Sequence, residues 1–290
     1  MNESYHTRRV FSKEEFSFAI EMLDTYQWIS RPLHRRGFDE MMDRLINNAP
    51  ERELLRELLS KFVYVGLDEG EELLNRILKR IMAWGCNLSN TVLLAIRTDP
   101  RDNDGSNIFQ KQLQDRLYGG WGKKNFVNFF DYRHRFHTAV SFEKVILIDD
   151  FIGSGDTITK RLQVFLTEIG KVNQNAEVYV VALAGMSVAK TIHPELDNDR
   201  VFVPLWLESA FIRGSDSIKT AVMDGILARL YRTNNNDRRH SLKKYGYGYG
   251  DTAALYYNVH YRIPNNVLSM FWWGRFKQGK EEYHSMFRRS

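Results

Sequence analysis

Apolar residues recur at intervals of three and four over residues 1–88, which is the spacing of amphipathic helices. Ser12 and Glu15 have the spacing of a capping box, so a helix is predicted to begin just after Ser12. Pro32 and Gly37 interrupt the apolar pattern between the first run and the second. The pattern predicts helices over residues 16–28 and 38–46, and further helices that begin at residues 50 and 68.

From residue 89 onward, short runs of aliphatic and β-branched residues alternate with amphipathic stretches. Such runs predict buried strands, and their alternation with helices predicts a mainly parallel sheet. The chain is therefore predicted to have a helical N-terminal region, residues 1–88, and an α/β domain of Rossmann-like type, residues 89–290. The predicted strands are 90–96, 145–148, 177–184 and 200–207, and the predicted helices are 108–117, 157–169 and 217–232.

The composition is that of a globular protein and excludes several other classes. Of the 290 residues, 43% are hydrophobic and 27% are charged, which excludes a wholly disordered chain. The single cysteine, Cys86, excludes an internal disulfide and a cysteine-rich zinc site. Residues 1–9 lack the apolar core of a signal peptide, and the longest apolar run, residues 178–186, is half of what a membrane helix needs. We therefore expect a soluble, cytoplasmic protein with no membrane partner.

The segment VILIDDFIGSGDT, residues 145–157, carries the most specific chemical signal in the sequence. Its apolar strand delivers two adjacent carboxylates, Asp149 and Asp150, to the edge of the sheet where α/β proteins bind ligands. The small residues that follow can bring backbone N–H groups, the hydroxyls of Ser154 and Thr157 and a helix N-terminus close to a phosphate. These parts together predict a sugar-phosphate site. The alternative is that the acids merely end a strand and that Ser154 or Asp156 caps a helix.

This segment resembles the signature with which type I phosphoribosyltransferases bind phosphoribosyl pyrophosphate. The resemblance implies a sheet of the phosphoribosyltransferase type, with Asp149 and Asp150 bound to the ribose hydroxyls. It also implies Mg²⁺ that is held through the pyrophosphate and the ribose hydroxyls, with no direct protein ligand. By the same resemblance, the 5′-phosphate is bound by the loop residues Gly153, Ser154, Gly155, Asp156 and Thr157.

Two further loops match features of this family. The family's pyrophosphate loop follows an earlier strand, which implies that Arg97 is the charged contact and that Gly105 and Ser106 are backbone donors. The family also closes a mobile loop over its substrate, and the glycine-rich stretch with Lys123 and Lys124 matches that loop. The alternatives are an exposed ion pair at Arg97 and a solvated surface loop at the two lysines.

The phosphate loop departs from the family pattern at two positions. Purine-using members carry an acid where Gly153 stands, and that acid acts as a base towards the purine ring, so its absence weakens a role in nucleobase salvage. Asp156 adds a negative charge to a loop that would bind phosphate. Because like charges repel, we expect its side chain to point away from the ligand.

A second resemblance lies near the C-terminus. The segments GYGDTAAL, residues 248–255, and IPNNVL, residues 263–268, together with Trp272, resemble phosphoribosyltransferase-like proteins predicted in prokaryotic conflict systems. Those proteins are associated with antiviral defence, including some retrons. The resemblance therefore implies a toxic effector whose partner is a nucleic acid of the msDNA type or a reverse transcriptase.

Three polar residues in these segments, Asp251, Asn265 and Asn266, can hydrogen-bond a base or a ribose. The alternative is a structural turn that closes the domain, since Pro264 followed by two asparagines is a strong turn signal. The nearby tryptophans can stack on a base, although a core or interface position is more usual.

Taken together, these features predict a phosphoribosyltransferase-fold effector that binds phosphoribosyl pyrophosphate or a nucleotide with Mg²⁺. As an enzyme it would be a glycosyltransferase of phosphoribosyltransferase type or a glycosidase that acts on nucleotides. The alternative is a non-catalytic module that senses a nucleotide and binds nucleic acid or a partner protein. The net charge of +5 permits a phosphate-rich partner. A homo-oligomer is compatible with the sequence, which leaves the oligomeric state open.

Overall fold

The computed structural model describes residues 10–96, 105–117, 120–128, 142–169, 175–190, 196–230, 242–274 and 284–287. The helices are α1 (Lys13–Thr25), α2 (Pro32–Arg44), α3 (Ala49–Ser60), α4 (Leu67–Ala83), α5 (Gly105–Arg116), α6 (Asp156–Ile169), α7 (Ser217–Arg229) and α8 (Leu242–Tyr245). The strands are β1 (Val63–Val65), β2 (Thr91–Ala95), β3 (Phe126–Asn128), β4 (Lys144–Ile152), β5 (Glu177–Met186), β6 (Val201–Phe202), β7 (Trp206–Leu207) and β8 (Tyr256–Asn258).

The chain forms two compact units, and both are discontinuous in sequence. Unit 1 consists of Met1–Tyr64, Ala210–Tyr257 and Asn265–Ser290, and unit 2 consists of Val65–Ser209 and Asn258–Pro264. The α4 helix therefore belongs to the same unit as the parallel sheet. The domain boundary between residues 88 and 89 stays a prediction.

Unit 2 is built on a parallel sheet in which β4 and β5 are central. The strand order is β3-β2-β4-β5-β6, and β7 pairs with the last residues of β5. Each of these pairings is parallel. Strand β5 is buried along nearly its whole length, as expected for a parallel strand with neighbours on both sides. The predicted α/β fold with a mainly parallel sheet is confirmed.

The α5 and α6 helices contact opposite faces of this sheet. Val145 and Leu147 of β4 pack in one core cluster with Phe165 of α6, whereas α5 contacts β2 and β4 from the other side. Because successive side chains in a strand alternate between faces, Asp149 continues the α6 face and Asp150 continues the α5 face. The two acids therefore reach the end of the strand with one helix on each side.

Strand β4 is longer than the strand predicted over residues 145–148, so Asp149 and Asp150 lie within it rather than after it. The pairing with β5 explains the difference, because its register continues as far as Ile152, which lies opposite Gly185. Hydrogen bonds to β5 give the polar end of β4 partners for its backbone groups. The acid pair is thereby fixed on regular structure instead of on a loop.

Unit 1 begins with the predicted capping box at the start of α1. The Ser12 hydroxyl accepts a hydrogen bond from the Glu15 N–H at 3.2 Å, and the Glu15 carboxylate accepts one from the Ser12 N–H at 2.9 Å. The prediction from the spacing of these residues is confirmed. Such a cap contributes about 1 kcal/mol to the stability of a helix.

The predicted interruption is confirmed at Pro32, since α1 ends at Thr25 and α2 begins at Pro32, but it is wrong at Gly37. Pro32 occupies the first turn of α2, where its missing N–H costs no hydrogen bond, and Gly37 lies inside the same helix. Gly37 is required there by a distant segment, since a Cβ at this position would lie 2.5 Å from the backbone nitrogen of Met286. Glycine lowers the helix propensity at this position, but it allows the C-terminal segment to pack against the backbone of α2.

Short strands account for most of the remaining differences from prediction. The three-residue strands β1 and β3 were not predicted, and the strand expected over residues 200–207 consists of the separate strands β6 and β7. Pro204 lies between these two strands and has no N–H to donate to a neighbour.

The α4 helix is amphipathic and not apolar on all sides. It has 17 residues, but its apolar side chains, which include Leu73, Ile77 and Ile81, form one buried stripe. None of the helices in the described ranges combines the length and the apolar character that crossing a bilayer requires.

Candidate functional site

The acid pair lies at the carboxyl edge of the sheet, next to the N-terminus of α5. Asp150 is partly exposed, and its carboxylate lies so close to the α-carbon of Gly105 that a Cβ there would overlap it. Gly105 is the first residue of α5. The positive end of a helix dipole stabilises a carboxylate in this position. The structure thus brings Asp150 together with Gly105, a candidate from the predicted pyrophosphate loop.

Asp149 is also partly exposed, and its carboxylate accepts a hydrogen bond from the N–H of Asp150 at 3.0 Å. This bond restrains the Asp149 side chain close to the backbone of the neighbouring acid. Because a carboxylate has several acceptor positions, it can accept further hydrogen bonds from a hydroxyl group. Two adjacent carboxylates at the end of a central strand are therefore suited to bind neighbouring hydroxyls of a ligand.

Residues 153–155 form the turn that connects β4 with α6. Gly155 has a φ of +84°, a conformation that glycine adopts without strain. A Cβ at Gly155 would lie 3.2 Å from the Cβ of Ala189, so the turn also passes close to the segment after β5. The Gly155 carbonyl accepts a hydrogen bond from the N–H of Thr159 at 2.9 Å and so joins the turn to the first turn of α6.

The side chains around the N-terminus of α6 match a phosphate cradle in chemistry. Ser154 is partly exposed, and its hydroxyl accepts a long hydrogen bond, 3.4 Å, from the N–H of Asp156. Thr157 is exposed. The first N–H groups of a helix point outward and attract anions, which makes this end of α6 a candidate phosphate site. This long bond ties Ser154 to the first residue of α6, two positions later.

Asp156 is the first residue of α6, and its side chain is exposed. A carboxylate in the first turn of a helix is favourable for the helix dipole. An exposed position gives the side chain room to lie away from a bound phosphate, which is the arrangement expected from the repulsion of like charges.

The other candidates near the sheet are described to different extents. Ser106 is buried in the first turn of α5, beside Gly105. Lys124 is exposed, and the backbone of Lys123 begins a short 3-10 helix of residues 123–125 that leads into β3. Arg97 lies outside the described residues, and so does the greater part of the predicted pyrophosphate loop.

The C-terminal candidates belong to unit 1, where Asn266 holds a turn together. Its side-chain amide donates to the Tyr249 carbonyl at 3.0 Å and to the Thr252 hydroxyl at 3.2 Å. Gly248 has a φ of +78°, and a Cβ there would lie 2.6 Å from the carbonyl carbon of Asn266. These contacts are those of a structural turn. Asn265 is partly exposed in the same turn, and its carbonyl accepts from the Tyr249 N–H at 2.7 Å.

Asp251, the remaining C-terminal candidate, is exposed and has a φ of +52°, which is unusual for a residue with a side chain. Its N–H donates to the Gly248 carbonyl at 3.1 Å within the same turn. The tryptophan after this region, Trp272, is buried and donates its indole N–H to the Val267 carbonyl at 2.9 Å. Trp272 therefore lies in the core, which is a more usual position for a tryptophan than stacking on a base.

A divalent cation at the acid pair would find two carboxylates on the protein. Among the residues that the structure describes, no group of three or more histidine, cysteine, aspartate or glutamate side chains could hold a metal ion. Mg²⁺ prefers oxygen ligands and keeps several waters, and it is commonly held by one or two carboxylates together with substrate phosphates. The donor set at Asp149 and Asp150 fits a cation that takes its remaining ligands from a bound phosphate compound and from water.

Two polar residues at the same edge of the sheet were not predicted from the sequence. Ser187 follows β5, and its hydroxyl donates a hydrogen bond to the carboxylate of Glu208, which follows β7. Glu208 directly follows the strand predicted over residues 200–207, and Ser187 lies three residues after the strand predicted over residues 177–184. Their place at a carboxyl strand end is the signal that could have identified them.

Comparisons with known proteins give a similar solved structure and a matching family. The chain is similar to the Helicobacter pylori xanthine-guanine-hypoxanthine phosphoribosyltransferase, with 11% sequence identity and a TM-score of 0.31 over 50% of this chain and 87% of that chain. No curated protein matches the chain. The family model described as PRTase-CE matches residues 11–289. This match covers nearly the whole chain and confirms the predicted phosphoribosyltransferase-like type, so the chain belongs to the PRTase-CE family.

Proposed function

We propose that the carboxyl edge of the sheet binds a ribose 5-phosphate group, carried by phosphoribosyl pyrophosphate or by a nucleotide, together with Mg²⁺. The observation that carries this proposal is the acid pair on β4 followed directly by the turn of residues 153–155 and the N-terminus of α6. Carboxylates accept from sugar hydroxyls and a helix N-terminus attracts phosphate. The acids for the sugar and the turn for the phosphate follow one another along one chain segment, so both can bind the same sugar phosphate.

In this proposal, Asp149 and Asp150 accept hydrogen bonds from the 2′- and 3′-hydroxyls of the ribose. Hydrogen bonds to charged groups contribute about 1.5–3 kcal/mol each, so the pair can supply much of the affinity for the sugar. The position of Asp150 against Gly105 holds one carboxylate in place before the ligand arrives. A restrained carboxylate loses less conformational entropy on binding.

The 5′-phosphate would be bound by the backbone N–H groups at the start of α6 and by the hydroxyls of Ser154 and Thr157. Gly153 and Gly155 allow the backbone to approach the anion closely because they have no side chain. Bound Mg²⁺ would neutralise negative charge on a pyrophosphate group. The cation would be held by the pyrophosphate, the ribose hydroxyls and water, and Asp149 and Asp150 would position those hydroxyls through their hydrogen bonds.

A phosphoribosyl transfer would displace pyrophosphate from C1 of the ribose with a nitrogen nucleophile, so that a C–N bond forms as the C–O bond breaks. Positive charge develops on the ring as the leaving group departs. The carboxylates of Asp149 and Asp150, bound to the hydroxyls, would orient the ring and stabilise that charge. The chain would thus contribute positioning and electrostatics.

A non-catalytic nucleotide sensor is the second candidate, and Gly153 is the observation that favours it. Purine-using members carry an acid at this position, and the chain has none.

To separate the two functions, purified protein is mixed with Mg²⁺, phosphoribosyl pyrophosphate and a panel of bases and nucleotides, and products are identified by mass spectrometry. Products made by the wild type and lost in Asp149→Asn/Asp150→Asn support an enzyme. Ligand binding without products supports a sensor.

The resemblance to conflict-system proteins supports a further proposal, that this protein is an effector of an antiviral defence system of retron type. The test is survival of cells that express the protein with its neighbouring genes during phage infection. Protection that disappears in the Asp149→Asn/Asp150→Asn variant supports the defence role. Equal survival with and without the wild-type protein argues against it.

A further inference from the structure

A second polar pair stands at the carboxyl edge of the sheet, two strands away from the acid pair. The hydroxyl of Ser187 donates a hydrogen bond to the carboxylate of Glu208. Glu208 is exposed and Ser187 is partly exposed, so a ligand can reach the carboxylate. The two residues are 21 positions apart in the sequence, and the pairing of β5 with β7 brings them together.

The strand register locates this pair relative to the proposed ligand. Ile152, Gly185 and Trp206 are directly opposite one another on β4, β5 and β7. Neighbouring strands are about 4.8 Å apart, so β7 lies roughly 10 Å from β4. Glu208 comes two residues after Trp206, beyond the end of its strand at the carboxyl edge of the sheet.

A direct contact supports this placement. The short 3-10 helix Ser187–Ala189 packs on the turn after β4, since a Cβ at Gly155 would lie 3.2 Å from the Cβ of Ala189. A nucleotide with its 5′-phosphate at this turn therefore has Ser187 as a close neighbour. The distance from β4 to β7 is comparable to the distance from the phosphate to the base in a nucleoside monophosphate.

The strand that carries Glu208 is held firmly in the sheet. The Trp206 ring packs against the core cluster, and a Cβ at Gly185 of β5 would lie 2.8 Å from its Cζ3 atom. Lys190 lies 6.0 Å above the same ring. Glu208 thus follows an anchored strand, and Ser187 orients its carboxylate.

We propose that Glu208 selects the base of the bound nucleotide or acceptor, and this proposal rests on the proposed function. An ionised carboxylate only accepts hydrogen bonds, so Glu208 favours bases with an exocyclic amino group, such as adenine and cytosine, and disfavours uracil, which presents carbonyl oxygens. Ser187 acts as a positioning residue that holds the carboxylate.

The experiment compares the affinities of ribose 5-phosphate, AMP, CMP and UMP by calorimetric titration in the presence of Mg²⁺. We expect the wild type to bind AMP or CMP about ten-fold more tightly than UMP, the effect of one hydrogen bond to a charged group. In Glu208→Gln this preference should fall to less than about three-fold, while the affinity for ribose 5-phosphate stays unchanged. Glu143→Gln, an exposed carboxylate just before β4, is the matched control and should keep the preference.

The role of Ser187 is tested in the same titration. Ser187→Ala should weaken the preference for the amino-bearing bases, and Ser187→Thr, which restores a hydroxyl, should recover it. Equal preference in the wild type and Glu208→Gln overturns the proposal, and so does a wild type that binds the nucleotides no better than ribose 5-phosphate. If the wild type binds neither ribose 5-phosphate nor any nucleotide, the proposed function itself fails, and the inference fails with it.

Discussion

The carboxylate of Asp150 lies directly against the α-carbon of Gly105, where any larger residue would overlap it. The two residues are 45 positions apart in the chain, and they meet because β4 ends beside the N-terminus of α5. A helix N-terminus is a favourable place for an anionic group. This contact brings the acid pair together with the first residue of α5.

Replacement of Gly105 by alanine should therefore damage the site. The new Cβ forces the Asp150 carboxylate away from α5, so we expect the affinity for ribose 5-phosphate to fall at least about ten-fold. Calorimetric titration measures the affinity and a thermal melt checks the fold. Gly225→Ala in α7 is the control, because a Cβ there meets nothing within 4 Å. Unchanged affinity in Gly105→Ala would show that the position of Asp150 is irrelevant to binding.

Gly155 allows a second comparison within the phosphate loop. Gly155 and Gly214 have similar φ angles, +84° and +82°, so alanine at either position should cost about 1–2 kcal/mol of stability. Only Gly155 belongs to the proposed site, so Gly155→Ala alone should also weaken ribose 5-phosphate binding. Urea unfolding and titration of both variants provide the test. Equal affinities in the two variants would argue against a phosphate site at this turn.

Alanine substitution should have opposite effects on stability at Gly37 and at Gly225, which lie in two different helices. Gly37→Ala places a Cβ 2.5 Å from the carbonyl carbon of Ser285, so we expect a loss of about 1–3 kcal/mol despite the higher helix propensity of alanine. Gly225→Ala meets no neighbour and should stabilise the protein by up to about 1 kcal/mol. Urea unfolding measures both. A stabilised Gly37→Ala would contradict the packing of the C-terminal segment on α2.

The His34 side chain should make the stability of unit 1 depend on pH. Burial lowers the pKa of His34, the hydrogen bond to the Met286 carbonyl opposes that shift, and the nearby charge of Arg31 adds to it. The folded state therefore holds His34 neutral, with Nδ1 donating to that carbonyl at 3.0 Å. The unfolded state takes up the proton first, so the stabilising contribution is complete above about pH 6.5 and declines as the pH falls below it.

Urea unfolding of the wild type and of His34→Gln at pH 7.5 and pH 5.5 checks this prediction. The wild type should lose more stability over this interval than the variant, because only the wild type carries the titrating ring. Leu33→Gln changes an exposed neighbour on the same helix and should behave as the wild type does. Equal losses in the wild type and His34→Gln would exclude His34 as the source.

The parts of the fold that were predicted correctly depend on local signals. The capping box of Ser12 and Glu15 involves residues three apart, and the strand before the acid pair is a continuous apolar run. The helix through Gly37 could not be predicted, because the residue that makes glycine necessary, Met286, is far away in the sequence. The three-residue strands are too short to show a periodic pattern.

The same distinction applies to the candidate site. Asp149, Asp150 and the loop after them form one continuous motif, so the sequence alone identified them as a group. The pair of Ser187 and Glu208 depends on the register between β5 and β7, which the sequence does not reveal. The Asn266 side chain makes the hydrogen bonds of a structural turn. The sequence alone could not decide between such a turn and a contact with a ligand.

The central claim is that Asp149 and Asp150 bind the ribose of a sugar phosphate. The most direct measurement is calorimetric titration of ribose 5-phosphate with Mg²⁺ into the wild type, Asp149→Asn/Asp150→Asn and Asp115→Asn, an exposed carboxylate on the last turn of α5. The account predicts saturable binding to the wild type and to Asp115→Asn, and affinity at least about ten-fold lower in the double variant, since each lost charged hydrogen bond costs about 1.5–3 kcal/mol. Equal affinity in all three proteins, or no binding to the folded wild type, would contradict it.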